Sequence, residues 1–227
     1  MSAHAHAIDP DAPVVYEQYE DIGQQQETYI VGMWSFLVTE VMMFGALFFA
    51  YSLYRWKFGG EFFIYHEHLS WQWAGLNTLN LLTSSFFMAK AVQSAQLNKT
   101  RAQLNYLTAT FLCGGIFLVI KAIEWIPKFQ LHLVPNNSFI WPPVDEPWLG
   151  GSPEHARIFY SLYFGMTGLH GIHVVLGMLS IAILAILVKT KAKIITDYIP
   201  TELVGLYWHF VDIAWIFLYP CYYLIPK

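Results

Sequence analysis

The sequence predicts an all-α membrane protein, a polytopic bundle of five transmembrane helices. Three observations predict it. Apolar residues make up 56% of the chain and charged residues only 12%. Mean hydropathy is positive, at +0.41. The charges also gather between long apolar blocks instead of spreading along helix faces. Soluble domains carry about a quarter charged residues, so water is not the main solvent of this chain. The blocks lack a period of two, which argues against a barrel. Each is long enough to cross ~30 Å of hydrocarbon as a helix of about 20 residues, a backbone that satisfies its own hydrogen bonds in lipid.

In chain order, residues 1–28 contain no Lys or Arg and carry Asp9, Asp11, Glu17, Glu20, Asp21 and Glu27. A secretory signal needs a basic start and a short apolar core, so this segment reads as a retained, flexible acidic tail. His4 and His6 read as solvated side chains within it. The membrane domain, residues 29–227, follows. Its first span covers about Tyr29–Tyr54, broken only by Glu40; the second covers Trp73–Ala95, with Lys90 near its far end. The third runs over Leu104–Pro127 and holds Lys121 and Glu124. Ile158–Val188, the fourth, has no Asp, Glu, Lys or Arg, and the fifth, Leu203–Ile225, contains Asp212. Trp34, Trp56, Trp71, Trp73 and Trp125 sit near block ends, as interfacial anchoring predicts. The connection Lys128–Glu154, with Pro135, Pro142, Pro143, Pro147 and Pro153 among Trp141 and Trp148, reads as an ordered cap without regular helix.

An odd number of spans puts the two ends on opposite sides. Lys99, Arg101, Lys189, Lys191 and Lys193 share the side of the N-terminus; Arg55, Lys57, Lys128, Arg157 and Lys227 share the other. The counts tie, and the compactness of the first group favours a cytoplasmic N-terminus. The net charge of −4 and the lack of a basic stripe give no nucleic-acid partner. Cys113 and Cys221 lie inside apolar blocks without a CxxC neighbour, and read as small buried hydrophobes.

Ionisable side chains deep in a bilayer cost ~2.5–3.5 kcal/mol even on a lenient scale, so each needs an explanation. Glu40 lies about eleven residues into its span, ~16 Å deep, on a stripe with Met33, Phe36, Phe44, Leu47 and Tyr51. It reads either as a proton-exchanging carboxyl or as a neutral acid hydrogen-bonded to a neighbouring helix. The fourth span carries His170, His173, Gly177 and Ser180 on one face, with Ser161, Gly165 and Gly168 as an adjacent small-residue seam for helix contact. In the fifth span His209 and Asp212 are three apart and can meet directly. Together with Glu124 these groups are expected to form a buried polar network. A metal or haem site at His170, His173 and His209, in a free-standing membrane enzyme, is the rival from a different class. Carboxylate-bridged bundles repeat Glu-x-x-His on facing helices, and no such repeat occurs here. Lys121 and Glu124 read as a local ion pair with the lysine snorkelling to the interface, a lipid head-group contact being the alternative. Asn77, Asn80, Thr83 and Ser84 are expected to join helices by hydrogen bonds.

The segment Tyr207-Trp208-His209-Phe210-Val211-Asp212-Ile213-Ala214-Trp215 resembles the last-helix signature of subunit III of the haem–copper oxidases. Gly168-Leu169-His170-Gly171-Ile172-His173-Val174 is similar to the G-x-H-G-x-H-V motif of the preceding helix. Glu40 in Thr39-Glu40-Val41-Met42-Met43-Phe44 matches the family's membrane-buried carboxyl. Gly75-Leu76-Asn77-Thr78 and Lys121-Ala122-Ile123-Glu124-Trp125 also fit, so five motifs fall in register from about residue 29 to 225. The resemblance implies a subunit without haem or copper, packed chiefly on subunit I with subunit II in the same complex. It also implies bound phospholipid, with Lys121, Trp125 and Trp208 as candidate lipid or interface residues. Support of proton uptake, a carbodiimide-reactive Glu40 and an inside N-terminal end for its helix are implied as well. Many members have seven spans. The five-span form resembles bacterial members, which implies a bacterial plasma membrane, and the two missing helices form one wall of the family's lipid cleft. Cytochrome c or quinol as electron donor, and membership of a respiratory supercomplex, are left open.

Overall fold

The computed structural model describes residues 15, 17–67, 69–143, 146–147, 149–191 and 197–224. His4, His6, Trp148, Lys193, Lys227 and the end of the fifth block at Ile225 lie outside them. Helix α1 spans Ile22–Lys57, α2 Gly59–His66, α3 Trp71–Gln96, α4 Thr100–Gln130, α5 Pro153–Lys189 and α6 Ile199–Tyr223. The described residues form no strand. The protein is a helical, multi-pass membrane protein.

Helix α1 starts seven residues before the expected first span. Asp21 accepts a hydrogen bond from the Gln24 amide at 2.7 Å, an N-cap that satisfies one of the free first-turn donors. Residues 22–28, read as tail, are therefore helical. The short α2 was not expected; it turns the chain at Gly59–Gly60 and buries Phe62 and Tyr65 beneath α5. The segment between α4 and α5 lacks regular helix in its described residues, as the prolines require, and holds a cis Trp141–Pro142 bond.

Four of the five long helices, α1, α4, α5 and α6, are apolar enough over a membrane-length window to span. Helix α3, at 26 residues, is as long as the others need to be, ~39 Å. Its Gln72, Asn77, Asn80, Ser84, Ser85 and Lys90 lower its hydropathy. Several of those polar groups face protein: Asn77 Nδ2 donates to the Phe117 carbonyl at 3.3 Å, and Asn80 Nδ2 to that of Cys113 at 2.8 Å. Thr83 departs from the expectation, bonding back to its own Leu79 carbonyl.

Helices α3, α4, α5 and α6 form a closed ring of neighbours, with α1 laid outside against α5 and α6. The ring closes around Trp208. A Cβ on Gly177 of α5 would meet this indole at 2.8 Å and one on Gly114 of α4 at 2.9 Å. Its Nε1 donates to Ser84 of α3 at 3.0 Å. Trp208 is thus a fully buried core residue, correcting its reading as a lipid or interface candidate. The small-residue seam is borne out only at Gly168, whose Cβ would meet Trp125 of α4 at 3.4 Å; nothing lies within 4 Å of a Cβ on Gly165, and Ser161 is exposed. The tightest approaches are at Gly114 and Gly177.

Candidate functional site

Lys121, Glu124 and Lys128 occupy successive turns on the inner face of α4, and all three are buried. Glu124 Oε2 accepts from Lys121 Nζ at 2.8 Å. Its Oε1 lies 2.7 Å from Tyr223 OH of α6, 2.9 Å from Tyr163 OH of α5 and 3.3 Å from Lys128 Nζ. Lys121 Nζ is also 2.9 Å from Tyr223 OH and 5.0 Å from the Trp215 ring centroid. The ion pair was legible in the sequence, but the snorkelling was not borne out by the geometry. A lysine stem turned inward among three aromatic rings finds cation–π and hydrogen-bond partners that the membrane interface would otherwise supply as water. Lys128, Tyr163 and Tyr223 were missed. Lys128 had a signal in its i,i+4 spacing from Glu124; the tyrosines, on other helices, had none.

Glu40 meets His173. The carboxyl Oε2 lies 3.0 Å from Nε2, joining α1 to α5, and His173 Nδ1 is 2.8 Å from the Leu169 carbonyl. The side chains are 16% and 8% exposed, so the pair sits at the rim of the bundle's interior. Phe44, Tyr207 and Phe210 surround the imidazole.

The remaining polar groups do not join these two clusters. His209 Nδ1 lies 2.8 Å from Ser85 Oγ of α3 instead of meeting Asp212. Asp212 is buried, neither carboxyl oxygen at full hydrogen-bond geometry, beside the Ser85 hydroxyl that His209 engages. His170 is wholly buried, neither ring nitrogen bonded, between the Phe117 and Trp215 rings at 5.4 and 5.3 Å. The expected single network is therefore divided into Glu40–His173, the Glu124 cluster and Ser85–His209. His170, His173 and His209 face different neighbours. Among the described residues no three His, Cys, Asp or Glu side chains gather as metal ligands. Trp125 stands at the α4–α5 surface against Phe164 and Gly168.

A further site lies outside the spans. Glu61 Oε2 of α2 accepts from the Ser152 amide at 2.9 Å and lies 2.7 Å from Tyr65 OH and 2.9 Å from His155 Nδ1. The Ser152 amide and the Tyr65 hydroxyl are the main causes that hold the Glu61 carboxyl down to about 2. The contacts clasp α2 to the start of α5, where Gly151 at φ +95° passes the Tyr65 ring at a distance no Cβ would allow.

Inward-turned ionisable groups, paired across helices of a bundle with an otherwise lipid-facing exterior, define a polytopic membrane protein with a polar interior. The model of the family described as cytochrome c oxidase subunit III matches residues 155–226. The chain is 30% identical over 199 residues to cytochrome bo(3) ubiquinol oxidase subunit 3 of Buchnera aphidicola subsp. Schizaphis graminum, covering 86% of this chain and 93% of that one. It is 29% identical over 202 residues to cytochrome c oxidase subunit 3 of Synechocystis sp., covering 86% and 74%. Quinol oxidase subunit 3 of Bacillus subtilis is 25% identical over 224 residues, covering 98% and 97%. The chain belongs to the subunit III family of the haem–copper oxidases.

Proposed function

We propose that this chain is the non-redox accessory subunit of a respiratory terminal oxidase, packing on the catalytic subunit and supporting proton uptake and enzyme stability during oxygen reduction. The observation that carries the reading is the near full-length similarity to third subunits of terminal oxidases. Haem and copper belong, on this reading, to partner subunits I and II. On this reading the chain crosses the membrane five times, α3 being the fifth span, with Asn77 and Asn80 turned onto α4. The N-terminus is cytoplasmic, and the membrane is a bacterial plasma membrane.

Glu40 is the proton-exchanging carboxyl of this proposal. Its depth in α1 and its imidazole partner support that role, since an acid beside a base can pass a proton without parting charges in lipid. The cluster around Glu124 has a stabilising role. The groove of about 540 Å³ between α4 and α5, lined by Leu118, Trp125, Gly168, Gly171 and Val175, suits a phospholipid acyl chain. In the purified oxidase, Glu40→Gln should leave assembly and the haem spectrum unchanged while altering proton-coupled turnover or carbodiimide labelling. Unchanged turnover and labelling would make Glu40 structural. Donation by quinol instead of cytochrome c is the second reading, favoured by the names of the Buchnera and Bacillus relatives.

A further inference from the structure

We propose that Glu40 and His173 hold a single proton between them, and that His173, fixed in one tautomer by the Leu169 carbonyl, is the positioning residue for the Glu40 carboxyl. The inference deepens the reading of Glu40 as a proton-exchanging carboxyl and rests on it. The Leu169 carbonyl is an acceptor only, so Nδ1 at 2.8 Å must carry a hydrogen. In a neutral imidazole Nε2 is then a lone pair. The 3.0 Å contact from Nε2 to Glu40 Oε2 therefore needs a proton, on the acid or on the imidazole.

Both one-proton forms are neutral as a pair. Removing that proton sets a carboxylate against a bare nitrogen, two acceptors face to face. Adding a second leaves a net cation between α1 and α5, among Phe44, Phe210 and Tyr207. Neither is compensated nearby. From α6 the titratable group facing the pair is Tyr207, whose hydroxyl donates to the His173 carbonyl at 3.3 Å. On α5 it is His170, enclosed by Phe117 and Trp215, and the nearest cation on α4, Lys121, is engaged by Glu124. Among the described residues no other ion pair reaches Glu40 or His173.

The pair also lies between two other polar ties of the outer helix α1. Gln26 Nε2 donates to Asp197 Oδ2 at 2.7 Å near one end, and Tyr51 OH donates to the Cys221 carbonyl near the other. Gain or loss of the shared proton thus acts at the middle tie, while the two ends stay anchored.

The test is infrared difference spectroscopy of the intact complex, wild type minus Glu40→Gln, with histidine isotopically labelled. Over about pH 6 to 8, the expected result is an acid carbonyl band with a neutral imidazole, or a carboxylate band with an imidazolium. In His173→Gln the Glu40 band moves. A carboxylate beside a neutral imidazole, or a Glu40 band identical in wild type and His173→Gln, overturns the proposal. Should His173→Gln fail to assemble, the nitrogen shifts of wild-type His173 decide instead: hydrogen on Nδ1 supports the pairing and a bare Nδ1 overturns it. If the bands follow the prediction while Glu40→Gln leaves turnover intact, the shared proton stands and the exchange role fails.

Discussion

Removing the charge of Glu124 is the perturbation that the fold should tolerate least. The carboxylate is 1% exposed and, among the described residues, is the only acid within reach of two ammonium groups that are themselves 8% and 6% exposed. Glu124→Gln keeps the volume but takes away the counter-charge and turns an amide NH₂ towards donors. Breaking a buried pair by removing one partner costs about 3–5 kcal/mol, because the remaining charge stays buried and uncompensated. At 1.4 kcal/mol per factor of ten, that is roughly a hundred- to several-thousand-fold in the folding equilibrium. Lys121→Met in the Glu124→Gln background should return part of the loss, since one of the two orphaned charges is gone. The expected coupling lies within about 0.5–3 kcal/mol. Denaturant titration of the purified protein in detergent measures all four members of the cycle. A Glu124→Gln cost below about 1 kcal/mol, or strict additivity with Lys121→Met, would refute the reasoning, because either implies that the ammonium groups find water or another anion.

Two further predictions concern packing and the clasp outside the membrane. Gly177→Ala drives a methyl into Trp208, which Gly114 and Ser84 hold on its other sides, and should cost about 1–3 kcal/mol. Gly171→Ala, with nothing within 4 Å of its Cβ, should be neutral or gain up to about 1 kcal/mol of helix propensity in the same assay. Glu61→Gln should speed hydrogen exchange at the Ser152 amide at neutral pH. The folded carboxyl titrates below its ordinary value of 4.5, near 2. The clasp's contribution is therefore fully present above about 4.5 and is lost as pH falls towards 2. Exchange at Ser152 that stays protected in Glu61→Gln, or that rises already between pH 7 and 5 in the wild type after correction for intrinsic rate, would contradict this.

Much of the fold was legible because lipid imposes a one-dimensional rule: long apolar stretches must become helices, and α1, α4, α5 and α6 follow it directly. Helix α3 is harder, since Asn77, Asn80 and Ser84 dilute its hydropathy for the sake of contacts with α4 and α6. Helix ends were read less well. Asp21 carries the α1 cap among other acids of the same composition, and Gly59–Gly60 gave no hint that α2 would follow. At the sites, i,i+3 spacing foresaw Lys121–Glu124 and failed at His209–Asp212, where Ser85 from another helix offers the imidazole a partner. Such competition is decided across helices, and a single strand of sequence holds no record of it. The Glu40–His173 contact, spanning 133 residues, lies beyond spacing arguments for the same reason.

The central claim is that this chain is a cofactor-free third subunit of a terminal oxidase. Affinity purification of the tagged chain from mild detergent, with haem spectra and elemental analysis of the whole complex and of the chain alone, tests it most directly. A larger haem- and copper-bearing subunit is expected in constant ratio with the chain, with no stoichiometric metal in the chain once separated. A chain that purifies without that partner, or that carries iron or copper in stoichiometric amount by itself, would contradict it.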